Sequence, residues 1–185
     1  MRADAARNAG LLVAAARALI DESGPDVALD EVARRAGVGN ATLYRHFPTR
    51  GDLLVAVYAD ELTALCDAAD LESESPGDAL FEWLDAYVGH VASKRALAEA
   101  APAERRTELF DGWHARLRAT GARLLTRAQD VGEVRADVSL ADLMAAASGA
   151  ALSSADPDQA RRVLALLRDG VDTAGLGAGE GRGRG

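Results

Sequence analysis

Four times the chain writes the same local instruction: a short oxygen-bearing side chain set three residues ahead of a carboxylate or amide. Thr49-Arg50-Gly51-Asp52, Ser75-Pro76-Gly77-Asp78, Ser139-Leu140-Ala141-Asp142 and Asp156-Pro157-Asp158-Gln159 all fit it. Each puts an acceptor where a starting helix leaves amide donors free. Pro in the second position of two of them is already shaped for a first helical turn. Between these starts no strand-like alternation survives, and the chain is rich in Ala, Leu and Arg, so the expected fold class is all-α. The pattern predicts about nine helices, roughly over 4–23, 29–36, 40–47, 50–71, 76–93, 95–100, 103–130, 140–154 and 158–174.

The most informative stretch is AGVGNATLYRHF, residues 36–47. Gly37 stands where the helix over 29–36 must stop, since glycine accepts the left-handed conformation that ends a helix. Two residues later the next helix starts at Asn40, giving helix, tight turn, helix. On a helical wheel Leu43 and Phe47 fall together as a buried seam. Ala41, Thr42 and Arg45 lie opposite, with Tyr44 and His46 flanking. Eight residues span about 12 Å, and the DNA major groove is about 12 Å wide. Thr and Arg reach base edges or phosphates, Tyr offers ring and hydroxyl, and His donates to phosphate. Arg50 follows in the first turn of the next helix, whose amides also favour an anion. An ordinary amphipathic helix with a wet polar face would share this wheel. Against that stands the absence of any carboxylate between Val32 and Thr49.

Charge has to be read locally. The 185-residue chain carries −8 overall, yet residues 1–50 hold seven Arg against six acidic residues. A near-neutral start precedes an acidic body, so a nucleic-acid site is expected to be local and N-terminal. Cys66 is the single cysteine, which excludes an intrachain disulfide and suits a reducing cytosol. No secretory signal is legible and no apolar run approaches about 18 residues, so a cytoplasmic protein without a membrane partner is expected.

Leu29-x-x-Val32-Ala33-x-x-Ala36-Gly37-Val38-x-x-x-Thr42-Leu43-Tyr44-x-His46-Phe47-x-x-Arg50-x-x-Leu53 resembles the signature of tetracycline-repressor-like (TetR) transcriptional regulators, over about residues 7–60. The resemblance implies an all-α homodimer with an N-terminal three-helix DNA-binding domain and a larger C-terminal domain that binds a small effector and dimerises. It implies that the positions of Thr42, Tyr44, His46 and Arg50 contact operator phosphates and bases; Asn40 and Arg45 join them on the reading helix. Three residues depart from the pattern: Gly39 replaces a frequent Ser, Ala28 stands where Ser or Thr commonly caps, and Gly51 loosens the following helix. The chain begins close to its first helix, so a long minor-groove arm is not expected, although Arg2 and Arg7 are in reach of phosphates. The domains expected are 1–48 for DNA binding, 49–174 for effector binding and dimerisation, and a flexible Gly-rich tail over 175–185.

In the acidic body, Trp83, Tyr87 and His90 recur at helical spacing, and Phe110, Trp113 and Leu117 line one side of a later helix. Aromatics with a few polar handles are the materials of an effector pocket; plain core packing uses the same residues. His90 and His114 lack metal-ligand spacing, so neither metal nor cofactor is expected. Over 140–154, Leu140, Leu143, Met144, Ala147 and Ala151 form one apolar face, and Ala145, Gly149 and Leu152 a second. A helix apolar on two sides needs two covers. With Val163, Leu166 and Leu167 of the last helix, this region is the expected dimer interface, as a two-fold helix-turn-helix reader requires; a monomeric bundle covering both sides itself is the alternative. The function expected is a repressor released from its DNA operator by a small effector, and not an enzyme. Two other readings stay open: a helical-bundle enzyme, for which Ser153, Ser154 and Cys66 are weak candidates, and a helix-turn-helix module that binds protein.

Overall fold

The computed structural model describes the backbone of residues 2–24, 26–100 and 106–172, and the side chains of residues 4–24, 26–91 and 114–172. Among the described residues there are eight helices: α1 (Arg2–Ser23), α2 (Leu29–Ala36), α3 (Asn40–His46), α4 (Arg50–Asp67), α5 (Pro76–Ala100), α6 (Arg106–Asp130), α7 (Leu140–Ser153) and α8 (Pro157–Val171). The expectation of nine fails at one place. The helices predicted over 76–93 and 95–100 are a single α5, because Ser93-Lys94-Arg95 contains neither Gly nor Pro and offers the backbone no reason to stop. Among the described residues the extended pairing is one isolated bridge between Val134 and Asp172.

The helix starts work by two routes. Thr49 forms the expected box, its Oγ1 accepting from the Asp52 amide while Asp52 Oδ2 accepts from the Thr49 amide, both at 3.1 Å. Ser139 and Asp156 cap α7 and α8 in the expected way. At α5 the cap comes from afar: Glu133 Oε2 accepts from the Gly77 amide at 2.6 Å. Helices α2 and α3 start without any side-chain cap, at Ala28 and Gly39.

Gly37 ends α2 with φ of 65°. The Val38 amide then donates to Ala33 O at 3.0 Å and the Gly37 amide to Arg34 O at 3.2 Å, the paired bonds of a left-handed helix stop. This turn sets the direction of α3.

The chain divides into two compact units, with the boundary inside α4 after Thr63. The described residues through Thr63, with 94–100 and 106–111, form the first; Ala64–Ser93 and 112–172 form the second. The first is built on Leu12, Ala16, Leu19, Val32, Ala33, Leu43, Phe47, Leu53 and Val57, a continuous core joining α1, α2, α3 and the start of α4. The second buries Leu80, Leu84, Leu117, Leu124 and Leu143. Here Trp83 of α5 crosses α6 at Gly121, where hydrogen in place of a side chain lets the indole in. No described helix is long and apolar enough to cross a membrane.

Candidate nucleic-acid interface

A seven-residue helix is too short to persist alone, so packing must hold α3. It is pinned by Leu43, 0% exposed, and by Phe47 just beyond its end, 8% exposed. Both reach the core that Val32 and Ala33 of α2 share. With that seam turned inward, Asn40, Ala41, Tyr44 and Arg45 are exposed, Tyr44 by 47%. Thr42 and His46 are half-buried on the flanks. Arg50 is also half-buried, in the first turn of α4 beside the Thr49–Asp52 box.

Two residues that sequence periodicity did not single out meet this face. The Asn40 amide nitrogen donates to Asp30 Oδ1 at 3.1 Å, and the Tyr44 hydroxyl lies 3.5 Å from the same oxygen. Arg50 Nη1 donates to Asp26 Oδ1 at 2.5 Å. The face free of carboxylates in local sequence is thus supplied with two from the segment before it. No helical wheel could find them, because Asp30 and Asn40 sit on different helices and Asp26 precedes α2. The neighbouring cations are also partnered: Arg35 makes a two-pronged pair with Glu22, and Arg34 another with Glu31. Those hydrogen bonds hold both glutamates below the usual carboxylate range.

In the second unit, Trp83, Tyr87, His90 and Leu117 are all buried. Trp83 and Tyr87 stack nearly parallel, ring centres 5.9 Å apart. The Tyr87 hydroxyl shares a 2.9 Å hydrogen bond with Ser148 of α7. The buried indole Nε1 of Trp83 has no hydrogen-bond partner among the described residues. The side chains of Phe110 and Trp113, named with these as pocket residues, lie outside the described residues, as do the side chain of Arg2 and the expected tail. A separate cleft of about 430 Å³ opens between α5 and the α7–α8 turn, walled by Val88, Ala151, Pro157 and Ala160 and rimmed by Asp85 and Arg161. None of the expected pocket residues borders it. Among the described residues no group of His, Cys, Asp or Glu is placed to hold a metal ion.

Helices α7 and α8 pack on each other. The first apolar face of α7 turns inward: Leu143 and Ala147 are buried within the subunit, and Leu140 and Met144 are half-buried. The outward side carries Gly149 and Leu152 of α7 with Val163 and Leu166 of α8, Leu166 being 71% exposed. Leu167 is half-buried.

Residues 12–57 match the family described as bacterial regulatory proteins, tetR family. Residues 75–173 match the C-terminal domain of SbtR-like transcriptional regulators. Among curated proteins none matches. Among solved structures, a TetR transcriptional regulator from Streptomyces coelicolor is 35% identical, covers 89% of this chain and 98% of its own, and superposes with a TM-score of 0.75. A TetR regulatory protein from Mycobacterium vanbaalenii is 37% identical over 93% of this chain and 99% of its own, with a TM-score of 0.71. A TetR-family regulator from Agrobacterium tumefaciens shares the fold at 18% identity, with a TM-score of 0.65 over 91% of this chain and all of its own. With family models matching both parts of the chain, and relatives that match along nearly their whole length, the chain belongs to the TetR family of transcriptional regulators, which are non-enzymatic DNA-binding proteins.

Proposed function

We propose that this regulator is a cytoplasmic homodimer that represses transcription by occupying an operator duplex, and that a small effector bound by the second unit releases it. The observation that carries the reading is the inward seating of Leu43 and Phe47, which leaves Asn40, Tyr44 and Arg45 exposed. Thr42, His46 and Arg50 complete a contact surface that fits the major groove and its flanking phosphates. The outward apolar side of α7 and α8, with Leu152, Val163 and Leu166, supports a partner copy of this chain at that face, since large apolar side chains in one patch mark an interaction surface. The unpartnered indole N–H of Trp83 supports an effector site nearby, where a ligand acceptor would satisfy it.

Release needs a difference in affinity. An effector that binds the released form more tightly shifts the population away from DNA by that ratio and no more. Helix α4 is a covalent link for such a shift, because it starts at the Thr49 cap of the first unit and the unit boundary lies within it. A gel shift with DNA upstream of the gene tests the reading. Wild-type protein shifts the band, and Tyr44→Ala or Thr42→Ala abolishes the specific shift while the protein stays folded. Unchanged specific binding by both variants would remove α3 from the interface. A small molecule that reverses the shift establishes release; turnover of a small molecule without any shift would favour an enzyme instead.

A further inference from the structure

We propose that Asp26 is a built-in competitor for DNA phosphate: its carboxylate occupies Arg50 in the free protein, and binding DNA exchanges that internal anion for a phosphate. The inference deepens the DNA-binding reading and rests on it. Arg50 and Asp26 are 24 residues apart, so no local helical geometry forces them together. Asp26 is 92% exposed, so it has no packing role that would hold it there. A pair this wet is weak and open to exchange, and a guanidinium accepts a phosphate in the same fork geometry as a carboxylate. The Asn40–Asp30 contact repeats the arrangement on the reading helix. Arg45 differs: it is exposed on the same face, and no hydrogen bond from its side chain to a carboxylate is present among the described residues.

The exchange has a thermodynamic signature. A cation that is bare in the free protein displaces condensed counterions when it meets DNA, adding about 0.9 to the magnitude of the salt slope. When Arg50 leaves Asp26, the freed carboxylate remains as one uncompensated negative charge on the protein, which offsets part of that gain. Asp26 thus lowers affinity for any duplex, operator or not, and makes binding less sensitive to salt.

The test is equilibrium binding of the full chain to labelled duplexes of about 30 base pairs, one from upstream of its gene and one scrambled, between about 50 and 200 mM salt. Asp26→Asn should bind both duplexes about threefold tighter or more at the lowest salt, with a slope steeper by up to about 0.9. The gain should vanish in an Arg50→Ala background and persist in Arg45→Ala. Unchanged affinity of Asp26→Asn, or an equal gain without Arg50, overturns the proposal. So does weaker binding accompanied by a lower unfolding midpoint, which would make Asp26 a structural residue. If wild type binds neither duplex at the lowest salt, the DNA-binding reading itself fails and takes this inference with it; that result is distinct from a wild type that binds and an Asp26→Asn variant that matches it.

Discussion

The indole of Trp83 occupies the space a side chain at Gly121 would need. A β-carbon at Gly121 would stand 2.8 Å from Trp83 Cη2 and 2.9 Å from Leu140 Cδ1. Alanine in a helix is ordinarily better than glycine by about 1 kcal/mol. Here the gain is opposed by overpacking of about 1–3 kcal/mol, since the indole is buried and stacked on Tyr87. Gly121→Ala is expected to lower stability by up to roughly 2 kcal/mol in urea unfolding. A variant as stable as wild type would mean that the indole moves aside at little cost.

Adjacent residues on α3 should behave oppositely. Leu43 is fully buried, so Leu43→Ala is expected to cost about 2–5 kcal/mol and to unfold much of the first unit, read by circular dichroism and thermal melting. Tyr44 is half-exposed, with a long contact to Asp30. Tyr44→Ala should leave the melting curve within about 0.5 kcal/mol of wild type while specific DNA binding disappears. Similar melting losses from both would contradict the inward seating of Leu43.

Acid should weaken the first unit through Glu22 and Glu31. Each is held below the ordinary glutamate value of 4.5, chiefly by a hydrogen bond from Arg35 or Arg34 respectively. A lowered carboxylate contributes stability that is fully present above the unfolded value and lost as pH falls through the lower folded one. The unfolding midpoint is therefore expected to be flat above about pH 5 and to decline below 4.5. Both pairs are solvated, so the decline is shallow. Glu22→Gln should flatten part of it, and a variant with the wild-type acid limb would show that the Arg35 pair contributes nothing.

The outward side of α8 gives a test by mass. Leu166→Glu places a charge at the most exposed large apolar position without touching the subunit's own core. A dimer in sedimentation equilibrium should become a monomer whose first unit still melts as before. A variant that remains dimeric would move the interface away from Leu166.

Local chemistry was readable in the sequence wherever the determinant lay within one turn. The Thr49–Asp52 box, the Gly37 stop and the Leu43–Phe47 seam each depend on residues at most five positions apart. What required a second helix was not readable. Glu133 caps α5 from 56 residues away, Asp30 reaches Asn40 across the turn, and Asp26 finds Arg50. The inward turn of Leu143 and Ala147 could not be chosen from sequence, because α7 is apolar on two sides and periodicity alone does not say which one the subunit covers itself. The expected break in α5 failed for the converse reason: two helices were expected over 76–93 and 95–100, and neither Gly nor Pro stands between them to end the first.

Because two buried side chains anchor α3, its exposed positions are nearly independent of the fold. Substitutions at the exposed Asn40, Tyr44 or Arg45 disturb little packing, so the outward chemistry of this helix can be rewritten at small thermodynamic cost. On the DNA-binding reading proposed above, descendants of one ancestor could drift to new promoters while their scaffold stayed intact, and an engineer could graft a foreign reading helix here by keeping Leu43 and Phe47 and replacing the exposed residues around them.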